Sequence, residues 1–354
     1  MNRLVLALVL ALLPLAAPGL SQVGPATRPA ADIVRDYDRE QGPAMSRDAT
    51  DEGRAAFRAA HRRVAERRAA LALELRRAHP GHAEVPRLMA GRWAAMTNVL
   101  DQAGETLAEI SKLLAEEETS AALRAKAAAA AARAAMVHPG VSRDRRLRFA
   151  RLSCRLAPAE ELGPLALTEI ARYETADPAE ARALCEEVLA GWKDTRYAAP
   201  AARGYLKRLE RVGKILDFDL PAVRGEGRVR SVGGERLVVL WSGFSERVLE
   251  ELRTLEAARG RPGGPVVVGV HVWRQEGGAE ELARRLAAAG LRFPVAYPEE
   301  ELREPWSGPW GLSETPLFLR LDAEGRCLAI SHRIGPLLAV RAAATEKGGE
   351  GRSR

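Results

Sequence analysis

The sequence predicts an all-helical N-terminal region followed by an α/β region with a mixed central sheet. Between residues 47 and 212, apolar positions recur at a helical period, and Pro-Gly pairs interrupt the pattern. From residue 213 onward, short β-branched runs alternate with amphipathic segments, an order typical of a sheet covered by helices. The 354 residues are enough for two domains of ordinary size.

The first 21 residues have the pattern of a secretory signal peptide. One arginine precedes an apolar stretch over residues 4–17, and small residues follow up to a cleavage point after Gly19 or Ser21. The stretch is shorter than the roughly 20 residues that a membrane span needs. We therefore expect a bacterial protein exported to the periplasm or cell envelope, in contact with the membrane only if the signal peptide stays uncut.

Two segments are predicted to lack regular structure. Residues 22–46 are rich in Pro, Ala and Arg and suggest a linker, and residues 346–354 form a charged tail. The net charge is +7, but arginine is scattered at helical spacing and aromatic residues are only 5% of the chain. Nucleic-acid binding needs basic side chains gathered on one face, so we expect solvated helix faces and no nucleic-acid partner.

Within the helical region, the alanine-rich run at 121–137 has very high helix propensity. Asp177 followed by Pro178 has the preferred order for a helix start. The pair of helices over 177–212 has the roughly 34-residue length of a tetratricopeptide (TPR) unit. Both a TPR-like solenoid and an antiparallel bundle fit this pattern, and surfaces of these kinds usually hold another protein.

The C-terminal region is predicted to run strand, helix, strand, helix, strand, hairpin, helix. Its hairpin, over residues 315–333, turns at 322–325, and a short helical stretch follows it. The preceding strands and helices are predicted at 235–241, 245–260, 265–273, 279–290 and 291–297.

Particular residues in this region resemble a known family. Trp241 and Phe244 precede the helix that starts near Ser245, and Thr315-Pro316 opens the hairpin. With this element order, residues 213–340 resemble the exported thioredoxin-fold oxidoreductases of the TlpA/ResA or redoxin kind. The resemblance implies a thioredoxin-like domain over residues 213–345. It also implies a cis-proline that faces a Cys-x-x-Cys motif at the helix start.

Both cysteines of that motif are absent here. Their positions fall on Ser245 and Val248. Thiol-disulfide exchange requires a thiolate, and a serine hydroxyl is too weak an acid to replace it and cannot form a disulfide. We therefore predict no catalytic residue here, no cofactor, and a redox-inactive protein that binds or organises another envelope protein.

Three interpretations of Ser245 are open. It could be the nucleophile of a degenerate hydrolase turn, although Arg247 replaces the second glycine and His271 and His332 are the only later histidines. It could cap its helix, a role worth about 1 kcal/mol against alanine.

The third interpretation of Ser245 is a peptide-binding groove that survives beside the proline. A peptide can pair with that backbone by strand addition, which needs no sulfur. The groove candidates are Trp241, Phe244, Ser245, Thr315 and Pro316.

The alternative function is a thiol-disulfide oxidoreductase that uses one of the three cysteines, of which Cys327 alone is in the same domain. Cys154 and Cys185 are expected in helix cores, and a disulfide between them is left open. A further possibility is that the helices alone bind a partner.

Three histidines of the helical region and two tryptophans before the hairpin could also mark sites. His61, His79 and His82 have no carboxylate cluster beside them, so no metal site is predicted. Trp306 and Trp310 precede the hairpin, where tryptophans often cover the edge of a core.

Overall fold

The structure, a computed structural model, describes residues 27–44, 50–225, 227–261, 264–272, 277–298 and 315–339. The predicted signal peptide and tail, with Trp306 and Trp310, lie outside the described residues. Among the helices that are described, none has both the length and the apolar composition needed to cross a membrane.

The N-terminal region is helical, as predicted. Its helices in the described residues are α1 (Ala30–Arg39), α2 (Asp51–Ala78), α3 (Val85–Asn98), α4 (Ala103–Ala115), α5 (Ala121–Val137), α6 (Arg143–Leu156), α7 (Leu162–Tyr173), α8 (Pro178–Trp192) and α9 (Ala198–Leu209). Each helix packs against the next, and α3, α5, α7 and α9 also contact one another in succession. This stacking is typical of a short solenoid, one of the two arrangements that the sequence left open.

Helix α5 lies at the centre of this stack. Its buried residues are Leu123 and seven alanines, and it packs against α3, α4, α6 and α7. A methyl side chain lets neighbouring helix axes approach closely, so the alanine run explains how four helices share one central element.

Helix α1 corrects the prediction that residues 22–46 form a linker. Ile33 and Tyr37, one helical turn apart, are buried in the core formed with α2 and α3. A Cβ atom at Gly91 would lie 2.0 Å from the Tyr37 hydroxyl oxygen, so any larger residue at this position of α3 would force the Tyr37 side chain of α1 to move. The Pro, Ala and Arg content of the segment hid this short apolar stripe.

The C-terminal region is built around a mixed sheet. Its strands are β1 (Asp219–Arg224), β2 (Arg228–Arg230), β3 (Arg236–Trp241), β4 (Val266–His271), β5 (Val295–Ala296), β6 (Leu317–Leu321) and β7 (Cys327–Ser331). The order is β2-β1-β5-β4-β3-β6-β7, in which β3, β4 and β5 are parallel. The other pairs are antiparallel. The third predicted strand, 291–297, shortens to the two residues of β5.

Two helices connect the parallel strands, α10 (Glu246–Arg259) after β3 and α11 (Gly278–Ala288) after β4. Leu252 and Leu255 of α10 and Leu282 of α11 pack in one core cluster with Leu237 of β3. The neighbouring residue Val238 belongs to a second cluster, as side chains alternate along a strand. The helical connections, the mixed sheet and the closing hairpin give this region a thioredoxin-like fold.

Candidate functional site

The candidate site lies where β3 ends and α10 begins. Ser245 has an extended backbone, and its Oγ accepts a hydrogen bond from the Val248 backbone N–H at 3.4 Å. This satisfies one of the amide groups left without a partner at a helix start. The prediction that Ser245 caps the helix is therefore confirmed.

Val248 follows Ser245 by three residues, at the position where the resemblance would place a second cysteine. Its side chain is 6% exposed and packs in the core cluster with Leu252 and Leu255. The position therefore contributes to packing under the helix, and no polar group stands beside Ser245 there.

An aromatic cluster lies beneath the turn. Trp241 is fully buried, and its ring meets His271 edge-on at 5.4 Å between centroids. Phe244 stacks on the His271 ring at 5.9 Å between centroids, and Tyr297 lies at the same distance from His271. His271, one of the two bases weighed for a hydrolase, is thus enclosed by aromatic rings.

The predicted cis-proline is present, since the Thr315-Pro316 peptide bond is cis. The Thr315 Oγ1 lies 2.5 Å from the Ser242 Oγ, so a hydroxyl pair links this segment to the turn after β3. The turn and the proline segment are therefore neighbours, as the resemblance implied.

The five groove candidates lie at different depths. Ser245 is exposed, Phe244 and Thr315 are half-buried, and Trp241 and Pro316 are buried. Phe244, Ser245 and Thr315 are thus the candidates that a peptide could touch with least rearrangement, with Trp241 and Pro316 beneath them. The groove itself stays a prediction.

The second candidate base, His332, contacts the proline segment away from Ser242. Its Nδ1 donates to the Pro316 carbonyl oxygen at 3.0 Å, and its Nε2 accepts from the Arg208 Nη1 at 2.6 Å. These partners define a neutral imidazole with the proton on Nδ1. Both ring nitrogens are engaged, so His332 has none left to act as a base toward Ser245.

His332 also belongs to the contact between the two regions. Its backbone N–H donates to the Arg172 carbonyl oxygen at 3.1 Å, and the Tyr205 hydroxyl donates to the Ile330 carbonyl oxygen at 3.0 Å. Tyr205, Arg208 and His332 are all buried. Sequence analysis missed this junction, because its members come from separate helices and a strand end and share no local spacing.

The three cysteines are free thiols and buried. Burial raises the pKa of Cys327 and Cys185 to about 12 and that of Cys154 to about 11. Cys327 packs in the cluster with Val238, whereas Val248 belongs to the cluster under α10. No thiol therefore stands at the start of α10, and none has the lowered pKa that exchange chemistry uses.

The three N-terminal histidines have local roles. His79 Nε2 lies 2.8 Å from the Arg28 carbonyl oxygen, His61 stacks on Phe57, and His82 Nδ1 accepts from the Glu84 N–H. In the part of the chain that the structure describes, no three His, Cys, Asp or Glu side chains are grouped to hold a metal ion. The expected absence of a metal and a cofactor stays a prediction.

Comparison with known proteins gives similarities in structure alone. No protein-family model matches the chain, and no curated protein matches it. A thiol-disulfide oxidoreductase of Bacteroides fragilis is similar at 14% identity and a TM-score of 0.31, over 37% of this chain and 98% of that one. A secreted thiol-disulfide isomerase of Corynebacterium glutamicum is similar at 17% identity and a TM-score of 0.27, over 34% and 75% of the two chains.

The exposed lipoprotein thioredoxin of Streptococcus pneumoniae is also similar, at 20% identity and a TM-score of 0.30, over 37% of this chain and 99% of that one. These similarities concern the C-terminal region.

Proposed function

We propose that the chain is a redox-inactive, thioredoxin-like protein of the bacterial cell envelope that binds another envelope protein or a peptide of it. One observation supports the proposal: α10 starts with a capping serine and has a core valine in its first turn, and the resemblance would place the family's two cysteines at these positions. Export is supported by the signal-peptide pattern of residues 1–21.

Binding does not depend on the missing sulfurs. Phe244, Ser245 and Thr315 lie at or near the surface beside the cis-proline, where a peptide backbone could pair by strand addition. The helical stack offers a second, extended surface of the kind that solenoids use to hold partners.

The competing function is thiol-disulfide exchange through Cys327. Its thiol is buried and contacts the Ala329 carbonyl oxygen at 3.6 Å. With a pKa of about 12, it holds a negligible fraction of thiolate at neutral pH. Burial and pKa both oppose this alternative.

The proposal is tested by insulin reduction with the purified mature protein, together with a thiol count under native and denaturing conditions. We expect no turnover, no rapidly reacting thiol in the native protein, and three thiols after denaturation. Crosslinking in the envelope would then identify the partner. Turnover that disappears when one cysteine is replaced would overturn the proposal and make that cysteine the active site.

A further inference from the structure

A groove runs along the junction of the two regions, next to the start of α10. It consists of two cavities of about 430 Å³ each, which share Tyr173, Glu174, Arg247 and Arg333. Arg247 lies between the two positions of the absent motif, and Arg333 follows His332 directly. The groove therefore borders the candidate site on its helical side.

Two arginines of the thioredoxin-like region face Tyr173 across this groove. The guanidinium carbons of Arg247 and Arg333 lie 5.1 and 5.9 Å from the centre of the Tyr173 ring. Both side chains are exposed, and neither forms an ion pair with any residue that the structure describes. A guanidinium over a ring face keeps its N–H groups free to bind a carboxylate.

The carboxylates that line the groove are mostly engaged elsewhere. Glu174 pairs with Arg146 at 2.8 Å, and Glu169 pairs with Arg172 at 3.1 Å. Glu251 accepts the Ile334 N–H at 2.9 Å. Glu250 has no ion-pair partner among the described residues, and a backbone hydrogen bond leaves the charge of Glu251 in place. Over the whole lining, five arginines face four glutamates, so the groove carries one excess positive charge: Arg133, Arg143, Arg146, Arg247 and Arg333 against Glu169, Glu174, Glu250 and Glu251.

The helical region contributes apolar side chains to the groove, beside its charged ones. Met136 and Val137 end α5, and Leu162 and Leu165 lie in the first turn of α7. Val137 is 46% exposed, so its side chain is accessible to a ligand in the groove. A ligand that fits this groove carries an anionic group on one side and an apolar group on the other.

We propose that this junction groove binds an acidic, partly apolar peptide segment of the partner protein, with a side-chain or terminal carboxylate between Arg247 and Arg333 and an apolar side chain against Val137. This inference rests on the proposed function and names the chemistry of its partner. The cavity volume suits a few side chains rather than a folded domain, which favours a peptide.

The test is a selection from a random twelve-residue peptide library displayed on phage, using the full mature protein. The same selection is run on the Arg247→Glu/Arg333→Glu double variant and on an Arg58→Glu/Arg63→Glu control. Arg58 and Arg63 are exposed arginines of α2, so the control makes the same change in net charge away from the groove. Circular dichroism and thermal unfolding verify that both variants fold.

The expected result is enrichment of peptides that combine Asp or Glu with apolar residues. Their synthetic versions should bind the wild type and the control equally and bind the Arg247→Glu/Arg333→Glu variant at least tenfold more weakly. Their affinity should also fall as salt increases, because exposed charge pairs are screened.

Enriched peptides without an acidic bias, no enrichment at all, or equal binding to all three proteins would overturn the inference. If binding is instead lost in Phe244→Ala and kept in the arginine variant, the site lies beside the cis-proline. In that case the proposed binding function stands and only the junction groove fails. Insulin reduction that depends on a cysteine would contradict the proposed function itself.

Discussion

The two sides of the cis-proline segment are built differently. Toward α10, one hydroxyl pair joins Thr315 to Ser242, and the next helix begins with an exposed serine. Toward the helical region, buried hydrogen bonds join His332 to Pro316 and to Arg208, and Tyr205 to Ile330. The side toward α10 is therefore held by fewer contacts than the side toward the helical region.

This difference shows that one segment can be held by two unlike sets of contacts. Buried polar groups are costly unless their partners are in place, so the junction specifies one docking geometry for the two regions. The turn at Ser245 needs only a helix cap. We therefore expect changes at the turn to affect chemistry and changes at the junction to affect stability.

The largest expected effect is a gain of activity in the Ser245→Cys/Val248→Cys variant. A thiolate in the first turn of α10 would be stabilised by the helix N-terminus, and the second cysteine could resolve a mixed disulfide. Insulin reduction should rise at least tenfold above the wild type. Ser245→Cys alone is the matched control, because it lacks the resolving thiol and should not turn over. Equal rates for both variants would show that two cysteines at these positions are not enough for exchange chemistry.

At the junction, Tyr205→Ala should lower the free energy of unfolding by about 4 kcal/mol, since truncating a buried aromatic side chain costs about 3 to 5 kcal/mol. Tyr205→Phe removes only the hydroxyl bonded to Ile330 and should cost about 1 kcal/mol. Urea unfolding measures both. Losses within error of each other would mean that the hydrogen bond, and not the packing, holds the junction.

Stability should fall at alkaline pH. The pKa of Cys327 is raised from 9.0 to about 12 in the folded chain, because burial disfavours the thiolate. The contribution of the protonated Cys327 thiol to the free energy of unfolding is thus complete below pH 9. It is lost as pH rises toward 12, at about 1.4 kcal/mol per pH unit. Unfolding experiments from pH 8 to 10.5 should show a shallower decline in Cys327→Ala. Parallel curves for the two proteins would contradict the buried-thiol assignment.

The smallest expected effect is at the cap. Ser245→Ala should destabilise the chain by about 1 kcal/mol, whereas Ser245→Asn, another good cap, should be nearly neutral. Thermal unfolding distinguishes them. A loss of partner binding in Ser245→Ala without a change in stability would point to the groove interpretation of this residue.

Much of the fold could be predicted from local pattern. The β-branched run of β4 and the serine at the start of α10 mark those elements, and Asp177-Pro178 marks α8. Short α1 was missed because its two core residues, Ile33 and Tyr37, are embedded in a polar segment. The cap and the cis-proline were also predictable, since both follow from neighbouring residues and the resemblance.

The junction was not predictable in the same way. Tyr205, Arg208 and His332 are brought together by packing of a helix on a strand end, across more than a hundred positions of sequence. Each of them has an ordinary local context. Only the folded chain shows that a histidine weighed as a catalytic base is instead a bridge between the two regions.

Residues 210–218 join the two regions, between α9 and β1, and part of this segment lies along β7 at the edge of the sheet. Cys327 of β7 exchanges both of its backbone hydrogen bonds with this segment, at 2.8 Å to Gly213 and 2.9 Å to Lys214. The unpaired N–H and C=O groups of an edge strand can otherwise form hydrogen bonds with another chain, which leads to aggregation. The connection between the regions thus also covers the start of the edge strand β7. A thioredoxin-like region that began after residue 216 would lack this cover, so we expect it to aggregate more readily than the whole protein.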